Sequence, residues 1–384
     1  MESGARPFRK RFLEAVFRDA FRYVPARNHE SPYPERLRSE SRLVRSGLAA
    51  GGAAKNLARR LIHRAAAPRR AAWVEHAARE LAATGDRLEQ LEAVYAALAD
   101  EPSRELLVKL AEWRVLGPRR VELPTSPDRY RAELERVHRE LLVERDTRSV
   151  NDPYFPQLDR YAYEIGGHRL TVETDETSML DTFVLEQYAY RRGPVTVCAE
   201  PGDVVIEGGG GYGDTALYFS SLVGSDGQVV VLEMDPRNRD TIERNLGRNP
   251  KLASRVRVSD ATIWERSGES FQYVAGGKLS RLQQAPAADG GTVETVTLDE
   301  FVEQAGLERV DFVKLDVEGA ELAALKGASQ VLEEHRPKLA VALYHGPEDL
   351  TEIPLYLQEL GLGYRLFLDH TSAGWEETVL FACS

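Results

Sequence analysis

The run V-V-I-E-G-G-G-G-Y-G-D-T, from Val204 to Thr215, constrains this chain more than any other segment. An apolar strand enters it and a helix leaves it, so the glycines must form the tight turn that joins a buried strand to a crossover helix. The free N–H groups that open such a helix attract an anionic ligand group. Two registers fit the glycines. Gly208, Gly210 and Gly213 satisfy the dinucleotide pattern G-x-G-x-x-G, whereas Glu207, Gly209, Gly211 and Gly213 satisfy the acidic-x-G-x-G-x-G pattern associated with S-adenosylmethionine. Glu233 closes the next apolar run, 20 residues beyond Gly213, where a carboxylate can accept from both hydroxyls of a ribose. Both registers use that residue, so it leaves the cofactor class open.

Three features favour S-adenosylmethionine. Glu207 places a carboxylate at the strand end, which suits a ligand carrying an ammonium and a sulfonium and would repel a pyrophosphate. Asp260-Ala261 ends the third strand, where the acid can accept from an adenine amine beside a residue small enough to leave room for the ring. The last two apolar runs, Tyr364 to Asp369 and Thr378 to Cys383, are close enough to pair as an antiparallel hairpin, which all-parallel dinucleotide folds lack. The strands expected before them are Asp203 to Glu207, Gln228 to Glu233, Arg255 to Ser259, Asp311 to Val317 and Lys338 to Tyr344, mostly separated by helical stretches.

The first 200 residues have a different texture. Residues 1–70 hold 17 Lys and Arg against 6 Asp and Glu, so the remaining residues carry all of the acidity behind the net charge of −11. An acidic body argues against nucleic acid as a substrate. Phe8, Phe12, Val16, Phe17, Ala20 and Phe21 form the stripe of an amphipathic helix, suited to docking on the chain itself, on a second subunit or on an anionic membrane surface. Residues 25–70, including Gly47 to Ala54, read as loose or short-helical. From Ala71 to about Leu142 the apolar spacing predicts at least three helices, broken at Thr84-Gly85, Glu101-Pro102 and Gly117-Pro118, and Met179 to Tyr190 reads as a further helix. No apolar stretch approaches the roughly 20 residues that cross a bilayer. Two cysteines, Cys198 and Cys383, make no disulfide framework, and with no secretory leader in view a cytoplasmic setting is expected.

The run V-D-F-V-K-L-D-V-E-G-A-E, Val310 to Glu321, with the strand-one turn and the Y-H-G-P-E-D-L and E-T-V-L-F-A segments, resembles the FkbM family of S-adenosylmethionine-dependent methyltransferases. The resemblance covers roughly Gly202 to the end, more weakly Asp100 to Pro124. It implies methyl transfer to a hydroxyl of a sugar or secondary metabolite. The family usually shows Asp-Gly-Gly-Ala-Asn-Ile-Gly at the first turn; here Glu207 replaces the Asp and Gly210-Gly211-Tyr212 replaces Ala-Asn-Ile, while Leu232-Glu233-Met234-Asp235 keeps the second acidic residue.

The expected architecture is α/β, a Rossmann-like methyltransferase sheet that is mostly parallel with an antiparallel C-terminal strand, preceded by an α-helical region. Its expected parts are a basic arm (1–70), a helical cap or dimerisation region (71–150) that can form a homo-oligomer, a connecting segment (151–200) and the cofactor-binding domain (201–384). The expected cofactor residues are Glu207, Gly209, Gly211, Gly213, Asp214, Glu233, Asp260, Ala261 and Asp316. His345, ending the fifth strand, is the candidate general base because its ordinary pKa lies nearest neutral, with Asp316 and Glu318 orienting substrate or cofactor. Asp316, His345 and another carboxylate can also ligate a divalent cation. His370 and Glu377 flank the hairpin turn and can line the same mouth, and Lys314 is expected to point across the sheet. The alternatives are an NAD-dependent oxidoreductase and a non-catalytic scaffold that retains the fold.

Overall fold

The structure, a computed structural model, describes residues 6–19, 68–118, 120–283 and 291–384. Ala20, Phe21 and most of the expected loose stretch, with its Gly47 to Ala54 run, lie outside the described residues. The chain divides into two units, Met1–Tyr130 with Ser372–Glu376, and Arg131–Thr371 with Glu377–Ser384.

The first unit is built from α1 (Arg6–Asp19), α2 (Pro68–Asp86), α3 (Leu88–Ala97) and α4 (Glu101–Leu116). The expected break at Glu101-Pro102 is a helix start: the Asp100 side chain accepts from Ser103 N at 3.0 Å, Pro102 occupies the first turn, and Gly117 at φ 76° ends the helix. Phe8, Phe12 and Val16 of α1 are buried, with α1 packed on α3 and α4, whose Val94, Tyr95, Leu107 and Leu110 are buried as well. The Phe8 ring stacks on Phe12 at 5.8 Å and meets Tyr95 at 5.7 Å. Burying each such side chain contributes about 1.5–3 kcal/mol. These three stripe residues therefore belong to the unit's own core, leaving them no role on a membrane surface or a second subunit.

The second unit begins with the remainder of α5 (Pro127–Glu140) and a three-stranded antiparallel sheet of β1 (Leu142–Ser149), β2 (Gln157–Ile165) and β3 (His168–Thr174). The region expected to be helical to 150 thus turns to strand at Leu142, and the expected connecting segment is built structure. Asn245 fastens it to the glycine turn, donating to the Glu173 and Tyr212 carbonyls at 2.9 and 2.8 Å. The helix expected from Met179 to Tyr190 is shorter. A single turn, α6 (Glu176–Ser178), continues as a π-helix over Met179–Val184, and Tyr190 instead opens β4 (Tyr190–Arg192), paired with β5 (Val195–Val197).

The main sheet has seven strands in the order β15-β16-β14-β13-β6-β7-β8. Strands β6 (Val204–Gly208), β7 (Gln228–Leu232), β8 (Val256–Ser259), β13 (Phe312–Leu315) and β14 (Lys338–Ala342) run parallel, and β15 (Arg365–His370) and β16 (Thr378–Cys383) complete it antiparallel. It is a mixed α/β fold. Helices α7 (Asp214–Val223) and α8 (Pro236–Arg248) follow β6 and β7, α8 opened by Pro236 and by the Asp235 side chain accepting from Arg237 N. Between β8 and β13, β9 (Thr262–Ile263), β10 (Ser270–Val274), β11 (Arg281–Gln283) and β12 (Thr292–Val296) form a small four-stranded sheet with no counterpart in the sequence reading.

One buried acid gives the helical unit a pH dependence. Burial, then a hydrogen bond shared with Asp19, raises the Glu112 carboxyl to about 7. A carboxyl raised on folding stabilises the fold fully below its unfolded pKa and loses that contribution as pH climbs through its folded value. Glu112→Gln keeps a donor for Asp19 without the charge, so its thermal midpoint relative to the unsubstituted chain should rise by several degrees between pH 5.5 and 8. A difference equal at both pH values would contradict this.

Candidate functional site

The parallel pairing of β6 with β13 sets Lys314 opposite Glu207 and Leu315 opposite Gly208. Both strands end here, so the turns that follow them face each other at one edge of the sheet. At Gly209, φ 81°, a Cβ would come within 1.9 Å of the Asp316 carbonyl oxygen, so only glycine allows the two turns to approach this closely. Positive φ falls on Gly209, Gly211 and Gly213, the register of the acidic-x-G-x-G-x-G reading, and on neither Gly208 nor Gly210. The alanine usual in the family at position 210 is blocked by Val231, whose Cγ1 would lie 2.4 Å from its Cβ.

Two acids flank this turn. Glu207 is fully buried; Thr215 donates to its Oε1, Lys314 Nζ stands 3.9 Å from the same oxygen, and Oε2 has no hydrogen-bond partner. Burial pushes its carboxyl up to about 7 against the pull of Lys314 and Thr215. Glu233 accepts from Gly211 N at 2.9 Å and Asp235 N at 2.8 Å, and burial raises it also to about 7. It thereby ties the glycine turn to the start of α8. Asp214, at the first position of α7, accepts from Thr182 of the π-helix at 3.1 Å. Ala261 is half-buried and Asp260 exposed beyond β8, three strands along the sheet from β13. Lys314 does cross to β6, but its ammonium ends on the turn itself, donating to the Gly209 carbonyl at 2.6 Å and the Gly208 carbonyl at 3.3 Å.

A second cluster lies beyond β13 and β14. Asp316 Oδ2 accepts from Tyr188 Oη at 2.8 Å and Tyr344 Oη at 3.1 Å, while Oδ1 stands 3.3 Å from His345 Nε2. Glu318 Oε1 is 3.5 Å from the same nitrogen, and Glu321 Oε1 is 2.8 Å from Nδ1 on the other side of the ring. Glu321 also accepts from the backbone N–H groups of Val317 and Gly319, closing the turn after β13. Glu318 adopts φ 54°, a conformation costly for a residue with a Cβ and held here by that turn. Burial alone would raise Asp316, yet Lys314, His345 and the two tyrosine hydroxyls hold it below the usual carboxylate range.

His345, the candidate general base, is flanked by carboxylates on both sides of its ring. Burial disfavours its charge, but the Glu321 and Glu318 carboxylates hold the ring well above the usual histidine value. His370 is buried with Nδ1 2.9 Å from Thr378 Oγ1 across the hairpin. Glu377 accepts from Gln187 Nε2, and burial with the nearby Asp316 charge raises its carboxyl. Sequence reasoning missed Tyr188, Tyr344, Gln187 and Glu321. Glu321 was visible within the Asp-Val-Glu-Gly-Ala-Glu run, and Tyr344 beside His345; Tyr188 is 128 residues from Asp316 and carried no signal.

Comparison with known proteins agrees with this geometry. Residues 198–366 match the methyltransferase FkbM domain. The 2-O-methyltransferase NoeI of Sinorhizobium fredii is 26% identical over 160 residues, 37% of this chain and 64% of that protein. The hexuronic acid methyltransferase AglP of Haloferax volcanii is 27% identical over 158 residues, 40% of this chain and 62% of that protein. The chain thus spans somewhat under two thirds of either relative. The crystal structure of an FkbM methyltransferase from Methylobacillus flagellatus superposes with a TM-score of 0.52 at 16% identity, covering 98% of this chain and 100% of that one, a likeness of fold. The glycine turn and the strand-end acids all lie within residues 198–366, the stretch that matches the methyltransferase FkbM domain.

Proposed function

We propose that this chain is an S-adenosylmethionine-dependent O-methyltransferase acting on a hydroxyl of a sugar or a related small metabolite. The observation that carries the reading is the Glu207 to Gly213 turn, with positive φ at alternate glycines and a buried Glu207 oxygen lacking a partner. That oxygen fits the ammonium of a methionine moiety and would oppose a pyrophosphate, so the residues present suit S-adenosylmethionine better than NAD. Glu207 and the turn would hold the methionine end, Glu233 the ribose, and Asp260 with Ala261 the adenine. The names of NoeI and AglP, one a 2-O-methyltransferase and the other acting on a hexuronic acid, support a sugar hydroxyl as acceptor.

The cofactor supplies a methyl group on a sulfonium, open to in-line attack by an oxygen. The chain must align that oxygen and remove its proton. Asp316, kept ionised by Lys314 and His345 and oriented by Tyr188 and Tyr344, holds the acceptor hydroxyl. Glu377 takes the proton, because burial and the Asp316 charge bring its carboxyl above the ordinary range. His345 acts as a positioning residue between Asp316 and Glu321.

Two measurements test this. A ligand that binds only the folded state raises its melting temperature, so S-adenosylhomocysteine should raise the midpoint by several degrees and NAD should not. A shift with NAD alone would favour the oxidoreductase, and no shift with either would favour a scaffold. Once an acceptor is found, Glu377→Gln should lower kcat roughly 100-fold, the usual scale for losing a general base, while leaving the S-adenosylhomocysteine shift intact. Unchanged turnover would remove Glu377 from the mechanism.

A further inference from the structure

The cluster beyond β13 carries more negative charge than its surroundings offset. The side chains of Asp316, Glu318 and Glu321 are 19%, 10% and 1% exposed, and they surround an imidazole that is 3% exposed. Lys314, the nearby ammonium, is turned onto the Gly208 and Gly209 carbonyls. Carboxylates this far from water need cationic compensation, and Lys314 with one imidazole still leaves one of the three unbalanced. Moreover, neither nitrogen of His345 makes a hydrogen bond of acceptable geometry, although carboxylate oxygens lie 2.8–3.5 Å away. An ion among these groups would give the ring nitrogen a partner.

We propose that His345 Nε2, Asp316 and Glu318 form a divalent-cation site, with Glu321 facing Nδ1 on the other side of the ring and the ion displacing a proton from Nε2. Asp316 Oδ1 and Glu318 Oε1 stand 3.3 and 3.5 Å from His345 Nε2, and one donor atom each from Asp316, Glu321 and His345 lies within 4.8 Å of the other two. The ring can present only one nitrogen to that ion. Nε2 faces two carboxylates, whereas Nδ1 stands 2.8 Å from the Glu321 carboxylate that also closes the backbone turn. Asp316 is fixed by two tyrosines: Tyr188 donates to Oδ2, Tyr344 is shared between Oδ2 and Oδ1, and Oδ1 faces Nε2. Two carboxylates and one imidazole, with no thiolate, select Mg2+ or Mn2+.

This inference rests on the methyltransferase reading for its chemistry. An acceptor hydroxyl binding the ion becomes more acidic. Its O–H bond breaks and the proton passes to the Glu377 carboxylate. The oxygen then forms the O–CH3 bond as the C–S bond opens, releasing S-adenosylhomocysteine.

The test is Mn2+ binding by the purified full chain, read from loss of the free-ion electron paramagnetic resonance signal and checked by Mg2+ competition. One equivalent should bind per chain. Glu318→Gln and Asp316→Asn should weaken binding at least 10-fold, and Glu321→Gln 10- to 100-fold, the usual cost of removing an outer partner. His345→Ala should abolish it, and Glu318→Gln, on the turn rather than in the core, keeps the test valid if that variant fails to fold. Undiminished binding in all four variants would place the ion elsewhere and overturn the site. Absence of Mn2+ binding with a normal S-adenosylhomocysteine shift would overturn the site and leave the methyltransferase reading standing. Mn2+ binding that these variants remove, without any S-adenosylhomocysteine shift, would support the site and overturn only that reading.

Discussion

The closest constraint in the structure is the approach of the Gly209 backbone to the Asp316 carbonyl, where a Cβ would fall 1.9 Å from oxygen. Because β6 and β13 are hydrogen-bonded neighbours, their following turns must pass at the sheet edge, and a side chain at position 209 would force them apart. Their closeness lets Lys314, carried on β13, end on the carbonyls of the turn after β6. It also places Glu207, Lys314 and Asp316 within one electrostatic neighbourhood. The rest of the site is arranged around that contact.

Within this neighbourhood, carboxylates of similar burial diverge according to their partners. Glu207 and Glu233 are raised to about 7 because burial outweighs a distant lysine in one and two backbone N–H bonds in the other. Asp316 is lowered because Lys314, His345 and two tyrosine hydroxyls together outweigh the same penalty. The turn side of the site therefore favours an incoming positive charge, and the Asp316 side keeps a permanent negative one. The sulfonium cofactor and hydroxyl acceptor proposed above would make use of that division. A pyrophosphate would meet it unfavourably on the turn side.

How much of this was legible varies by element. Strands β6, β7, β8, β13 and β14 and the β15–β16 hairpin were readable because each is an apolar run bounded by Gly, Asp or Pro signals. The sheet of β9 to β12 was not, since its strands are two to five residues long and mix charged with apolar positions, too short for a period to emerge. Tyr190 shows the limit most clearly. Its local sequence continues a helical pattern, but its ring packs 5.1 Å from Phe367 and 5.6 Å from Phe381, and this contact with the terminal hairpin places it in a strand. Asp316, Glu318 and His345 were chosen from strand ends alone, and the structure does gather them; the charge that His345 favours depends on neighbours that sequence position does not reveal.

The sequence by itself determined the glycine turn, the acids at four strand ends, and the order in which apolar strands and helices alternate, because these depend on residues adjacent along the chain. Only the tertiary structure decided that Tyr188 and Tyr344 both donate to Asp316, that Glu321 takes the far side of His345, and that Lys314 stops at the glycine carbonyls. These contacts join segments up to 128 residues apart. Strand order and register bring them together, and the charge state of the site follows from that proximity.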